Sequence, residues 1–80
     1  MGEKQITKNF KLTGEFNNYA VNHPEVFEGI PGNACIIMIQ KNDPEFTKEN
    51  LELAKKIIRK EGKKCYKAFK KNHKWILEAI

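Results

Sequence analysis

Ala34-Cys35-Ile36-Ile37-Met38-Ile39 is an unbroken apolar run, preceded by Ile30-Pro31-Gly32-Asn33 and followed by Lys41-Asn42-Asp43-Pro44. An apolar run of that length between turn residues is what a strand covered on both faces requires, and it predicts a strand over 34–39 at the centre of the fold. A lone strand would leave main-chain N–H and C=O groups unpaired in an apolar interior, at about 1–3 kcal/mol each. A partner strand must therefore lie elsewhere in the chain.

The segment after the run does not supply it. Asp43-Pro44 is an N-cap followed by Pro at the first helical position, and Phe46, Leu51, Leu53, Ala54, Ile57 and Ile58 share one stripe before Gly62. The pattern predicts a helix over 44–61 closed by Gly62. Residues 63–80 are ambiguous by periodicity, because Cys65, Tyr66, Phe69, Ile76, Leu77 and Ile80 would also line one side of a helix. The unpaired strand decides between the readings: 64–70 becomes its parallel neighbour, reached through the helix, and Lys71-Asn72-His73-Lys74 turns the chain into a third strand over 75–79.

Upstream, Ile6, Phe10, Leu12, Phe16, Tyr19 and Ala20 fall on one broad side at helical spacing and predict a core-facing helix over 4–22. His23-Pro24 breaks it, and Pro24 then opens a short turn over 24–28. Ile30-Pro31-Gly32-Asn33 has Pro and Gly at the central positions of a type II turn. The expected fold is a single α/β (α+β) domain of order αβαββ, a parallel strand pair with a C-terminal hairpin, packed by two amphipathic helices.

Eighty residues, 40% of them apolar, suit one core and leave no room for a second domain. Cores this small supply about 3–5 kcal/mol, so self-association as a homodimer is one expectation. No run approaches the roughly 18 apolar residues of a membrane span, and Met1 to Phe10 lacks the apolar stretch of a signal peptide. A cytoplasmic protein without membrane contact is expected.

Several phrases occur together: Lys8-Asn9-Phe10, Glu15-Phe16 with Tyr19, His23-Pro24-Glu25, Ile30-Pro31, Asn33-Ala34, Asp43-Pro44-Glu45-Phe46 and Asn50-Leu51 with Leu53-Ala54-Lys55. Over roughly residues 6–58 they resemble a family of small prokaryotic proteins, frequent in thermophiles, catalogued only as a domain of unknown function. The basic C-terminal part looks less typical of it. The resemblance implies a small α/β protein with a strand at 34–39, and implies no activity, cofactor or catalytic residue.

Cys35 and Cys65 are too few for a disulfide framework and form no C-x-x-C pair; in apolar segments they read as small buried hydrophobes. A bridge between them requires neighbouring strands that bring their Cα atoms within about 7 Å. His23 and His73 complete the set of potential metal or thiol-catalytic groups, at spacings that match no ligand pattern. His23-Pro24-Glu25 and Asp43-Pro44-Glu45 read as helix starts rather than as paired catalytic acids. Phosphate loops, dinucleotide fingerprints and nucleophile elbows are absent from the sequence. The expectation is a protein that is not an enzyme and takes no cofactor.

Charge is distributed unevenly. Residues 1–54 carry five lysines against eight acids, net −3, whereas residues 55–74 carry ten Lys or Arg against Glu61, net +9. Within this segment Lys56, Arg59, Lys60, Lys63, Lys64, Lys67, Lys70, Lys71 and Lys74 are interleaved with Tyr66, Phe69 and Trp75. Lysines gain phosphate affinity by releasing counterions, and exposed aromatics stack on unpaired bases. Those nine cations with Tyr66 and Trp75 are the candidate interface for RNA or single-stranded DNA. The bland reading keeps the lysines as a solvated surface and the aromatics as core, since only one cation is Arg. The alternative function is a homodimeric protein-interaction or assembly module, built on an exposed edge strand or the first helix.

Overall fold

The computed structural model describes residues 2–80. Helix α1 spans Glu3–Asn22, a 3-10 turn Pro24–Phe27, strand β1 Cys35–Met38, helix α2 Pro44–Glu61, strand β2 Cys65–Lys71 and strand β3 Lys74–Ala79. The αβαββ order holds, with strand bounds that differ from the expected ones by a residue. β1 and β2 are parallel, with Cys35 opposite Cys65 and Met38 opposite Ala68. β2 and β3 form the hairpin, with Phe69 opposite Ile76 and Lys67 opposite Glu78.

Local chemistry explains the element ends. Asp43 Oδ1 accepts from Phe46 N at 3.1 Å, with Pro44 in the first turn of α2. Gly62 ends α2 in the left-handed region at φ 64°, donating its N–H to Ile58 O. Asn72 and His73 both take positive φ, 51° and 66°, as a two-residue hairpin turn that follows strand twist demands. The type II turn lies three residues earlier than expected. Glu28 at φ −58°, ψ 126° and Gly29 at φ 78° occupy its central positions, closed by Ile30 N–H to Phe27 O. Gly32 has no positive φ; Pro31 instead accepts from Ala34 N–H in a second turn.

The three-stranded sheet runs β1-β2-β3, so β2 is central and β1 an edge, correcting the expectation that 34–39 lies at the centre. β1 is nevertheless packed on both faces. On one, Met38 joins Leu12 and Phe16 of α1, Phe46, Ala68 and Trp75, with Ile36 and Leu77 alongside. On the other, Ile37 joins Ala54 of α2 and Cys65, with Leu51, Ile57 and Ile58 alongside. The strand's edge is closed by the helices. Asn50 Nδ2 of α2 donates to Met38 O at 2.7 Å and to Asn9 Oδ1 of α1 at 2.9 Å, and Asn9 Nδ2 returns a bond to Asn50 Oδ1 at 3.3 Å. Beside this pair the Lys8 ammonium pairs with Asp43 and lies 5.0 Å from the Phe46 ring centre. With that flank occupied, β3 adds to the free side of β2.

α1 departs from expectation at its outer face. Leu12, Phe16 and Ala20 are buried, but Ile6 and Val21 are exposed and Phe10 is 77% exposed. At 100° per residue Phe10 stands roughly 120° round the helix from Phe16, too far to reach the sheet.

Candidate nucleic-acid interface

Side chains alternate across a strand, so the basic segment is divided between the two faces of the hairpin. Lys67, Phe69 and Lys71 of β2, with Lys74, Ile76 and Glu78 of β3, lie on the α2 face of the sheet. Tyr66, Ala68, Lys70, Trp75 and Leu77 lie on the α1 face. α2 covers β1 and the start of β2 but stops short of the far half of the hairpin. There Ile39, Lys41, Lys67, Phe69, Lys71, Ile76 and Glu78 line an open hollow. Phe69 and Ile76, cross-strand partners, are half-buried at its floor.

The hollow continues along α2. Ile39 and Lys41 also line a second one, walled by Thr47, Lys48, Leu51 and Lys55. Five lysines, 41, 48, 55, 67 and 71, thus border one shallow trough whose apolar floor is Ile39, Leu51, Phe69 and Ile76. Glu52 and Glu78 are its acids. Glu78 sits 3.6 Å from Lys67, a half-exposed pair of the kind worth little in water.

Of the residues expected at an interface, Lys67, Lys71 and Lys74 share this face and the others do not join it. Trp75 is 6% exposed and packed edge-on against Phe16, ring centres 5.4 Å apart. It is core, so the expected stacking role for Trp75 is corrected, and half-buried Tyr66 faces the α1 side. Lys70 also lies on that side, 3.5 Å from Glu15 and 5.7 Å from the Trp75 ring centre. Lys56 borders Glu49, Glu52 and Leu53 on another side of α2. Arg59 and Lys60 stand in the last turn of α2, where cations complement the helix dipole. Lys63 pairs with Glu61 at 3.6 Å, and Lys64 is exposed just before β2. Sequence reasoning missed Lys41, Lys48, Ile76 and the role of Phe69. The detectable signal was that Phe69 has the parity of Lys67 and Lys71, opposite to that of Lys70.

The four potential metal or thiol residues are not brought together. Tyr19, His23, Glu25 and His73 line a hollow at the hairpin-turn end, with the His23 ring stacked on Tyr19 at 4.3 Å. Cys35 and Cys65 sit at the opposite end of β2, under α2. Among the described residues no group of three or more His, Cys, Asp or Glu is placed to hold a metal ion.

Both cysteines are free thiols, facing each other across the parallel pair at a strand spacing of about 4.8 Å, within the reach a bridge requires. Cys65 is buried, its Sγ donating to Ala54 O at 3.7 Å. Burial, reinforced by the Cys65 thiol, pushes the Cys35 pKa up to about 12. A thiol so protonated has a thiolate fraction at pH 7 about 10³-fold below that of free cysteine, and the greater nucleophilicity of a basic thiolate recovers less than half of that on a log scale. Cys35 in the folded protein should therefore react with an aromatic disulfide reagent about 10²-fold more slowly than free cysteine. A rate equal to or above that of free cysteine would disprove this.

Fold and surface together define a small α+β domain with one basic, partly apolar sheet face. The chain belongs to DUF5647, a family of unknown function, whose model matches residues 4–80 and so takes in the basic C-terminal part that had looked atypical. No curated protein and no solved structure matches the chain. No described helix is long and apolar enough to cross a membrane.

Proposed function

We propose that the chain binds RNA or single-stranded DNA on the α2 face of its sheet. One observation carries the reading: Phe69 and Ile76 stand half-buried on a part of the sheet that no helix covers, bordered by Lys41, Lys67 and Lys71. An aromatic ring on an open sheet offers a π-face to any unpaired base, while flanking lysines hold the phosphates on either side. Lys74, and Lys48 and Lys55 from α2, extend the cationic border in both directions. A solvated lysine surface accounts for the cations alone and leaves the half-exposed Phe69–Ile76 pair unexplained.

The test is anisotropy of a labelled single-stranded RNA titrated at several salt concentrations. With four phosphate contacts, log K should fall with log salt at a slope of about −3, and Phe69→Ala should weaken binding by about tenfold, within the usual range for a stacked base. Lys70→Ala, altering the opposite face, should change affinity less than twofold. Absence of binding to RNA, single-stranded DNA and duplex at about 50 mM salt would end the proposal.

A further inference from the structure

Main-chain hydrogen bonding along the hairpin identifies an open edge. Lys64 and Ala68 direct their carbonyls to β1, where Cys35 and Ile39 donate to them, so the intervening odd-numbered residues of β2 face β3. Ile80 N–H donates to Cys65 O at 3.0 Å, which sets the same alternation on β3. Glu78, Ile76 and Lys74 turn their main-chain groups inward to β2, and Trp75, Leu77 and Ala79 turn theirs outward. Among the described residues no strand lies beyond β3. Among the described residues, no hydrogen bond from another part of the chain reaches those outward groups. The 3-10 turn packs Val26 and Phe27 on the α1 side, against the cluster of Phe16 and Trp75, and makes no main-chain hydrogen bond to β3. The β1 edge, by contrast, is closed by Asn50 on the Met38 carbonyl.

We infer that β3 pairs antiparallel with β3 of a second copy of this chain, about a two-fold axis through Ile76, to make a continuous six-stranded sheet. The side chains favour this register. It sets Ile76 against Ile76 as a non-hydrogen-bonded pair, so that Trp75 and Leu77 of one copy exchange main-chain bonds with Leu77 and Trp75 of the other, as the outward orientation requires. It also sets Lys74 opposite Glu78 on both sides of the axis. Each Glu78, already 3.6 Å from Lys67 of its own chain, would then lie between two cations. A symmetric strand pair is self-complementary only when charges equidistant from the axis are opposite, and Lys74 and Glu78, two residues either side of Ile76, meet that condition. The half-buried Phe69–Ile76 pair becomes one apolar strip across both copies, and the two lysine-bordered faces come to lie on the same side of one sheet. The dimer stands whether or not nucleic acid binds.

Sedimentation of the full chain between about 1 and 100 µM should show a reversible dimer. Lys74→Glu and Glu78→Lys each place like charges opposite one another twice, and each should raise the dimer dissociation constant about tenfold or more. An equimolar mixture of the two variants restores opposite charges at both positions and should sediment as a heterodimer of near wild-type affinity, as should the doubly substituted chain with itself. Circular dichroism confirms that each variant is folded, and recovery on mixing rules out a folding defect as the cause. A wild-type monomer over the whole range, single variants as dimeric as wild type, or no recovery on mixing would each overturn the inference.

Discussion

Phe46→Ala should remove about 3–5 kcal/mol of unfolding free energy, measured as a shift in the denaturant midpoint at unchanged slope. Phe46 is 0% exposed and enters the cluster that joins Leu12 and Phe16 of α1 to Met38 and Ala68 of the sheet. The side chain sits in the first turn of α2, held there by the Asp43 cap and Pro44. Truncation loses the transfer free energy of the ring and leaves a cavity, and Lys8 loses the ring beneath its ammonium. A core of this size supplies about 3–5 kcal/mol in total, so the variant should be barely folded at room temperature. Phe46→Leu, which keeps most of the volume, should retain the larger part. A loss below about 1 kcal/mol for the alanine variant would show that Phe46 is not the joint between the helices and the sheet.

Asn50→Leu should cost about 2–4 kcal/mol although it preserves side-chain volume and adds apolar surface. Asn50 is 2% exposed, and its amide serves Met38 O and both polar atoms of Asn9. Asn9 Nδ2 also donates to Gln5 O at 3.1 Å, so the pair links α1, α2 and the edge of β1 in one satisfied network. Leucine takes one partner from each polar atom of Asn9 and leaves the buried Met38 carbonyl without its donor, and an orphaned main-chain carbonyl carries its full desolvation cost. A double-mutant cycle with Asn9→Ala should give a coupling of about 1 kcal/mol or more. Additive effects, or a leucine variant as stable as wild type, would show that the network does not hold the helices to β1.

The beginning of α2 combines several of these devices. Hydrogen bonds first from the Lys8 side chain and then from Phe46 N hold the Asp43 carboxyl below the usual carboxylate range. The phrases Lys8-Asn9, Asp43-Pro44-Glu45-Phe46 and Asn50-Leu51, which carried the family resemblance, are thereby given a structural role. They are the groups that fasten α1 and α2 across the edge of β1.

Much of the architecture was readable locally. Asp43-Pro44 and Gly62 bounded α2 because caps act within one turn, and the apolar run at 34–39 demanded a strand partner because main-chain groups cannot be buried unpaired. The same requirement chose a hairpin over a helix for residues after Gly62. By contrast, the Phe10 position was misread because the apolar side of α1 is broad, and only contact with the sheet shows which part of it is core. Asn9 and Asn50 gave no sign of their pairing, since they lie 41 residues apart.

The sequence by itself determined the order of elements, the parallel pairing through α2 and the turn at Asn72-His73, all of which rest on short-range geometry and on the main chain's need for partners. Only the tertiary structure decided which lysines stand together. Side chains on a strand alternate with a period of two, so a one-residue uncertainty in register exchanges the two faces completely. That parity placed Lys67, Phe69 and Lys71 on the open side of the sheet and sent Lys70 and Trp75 against α1.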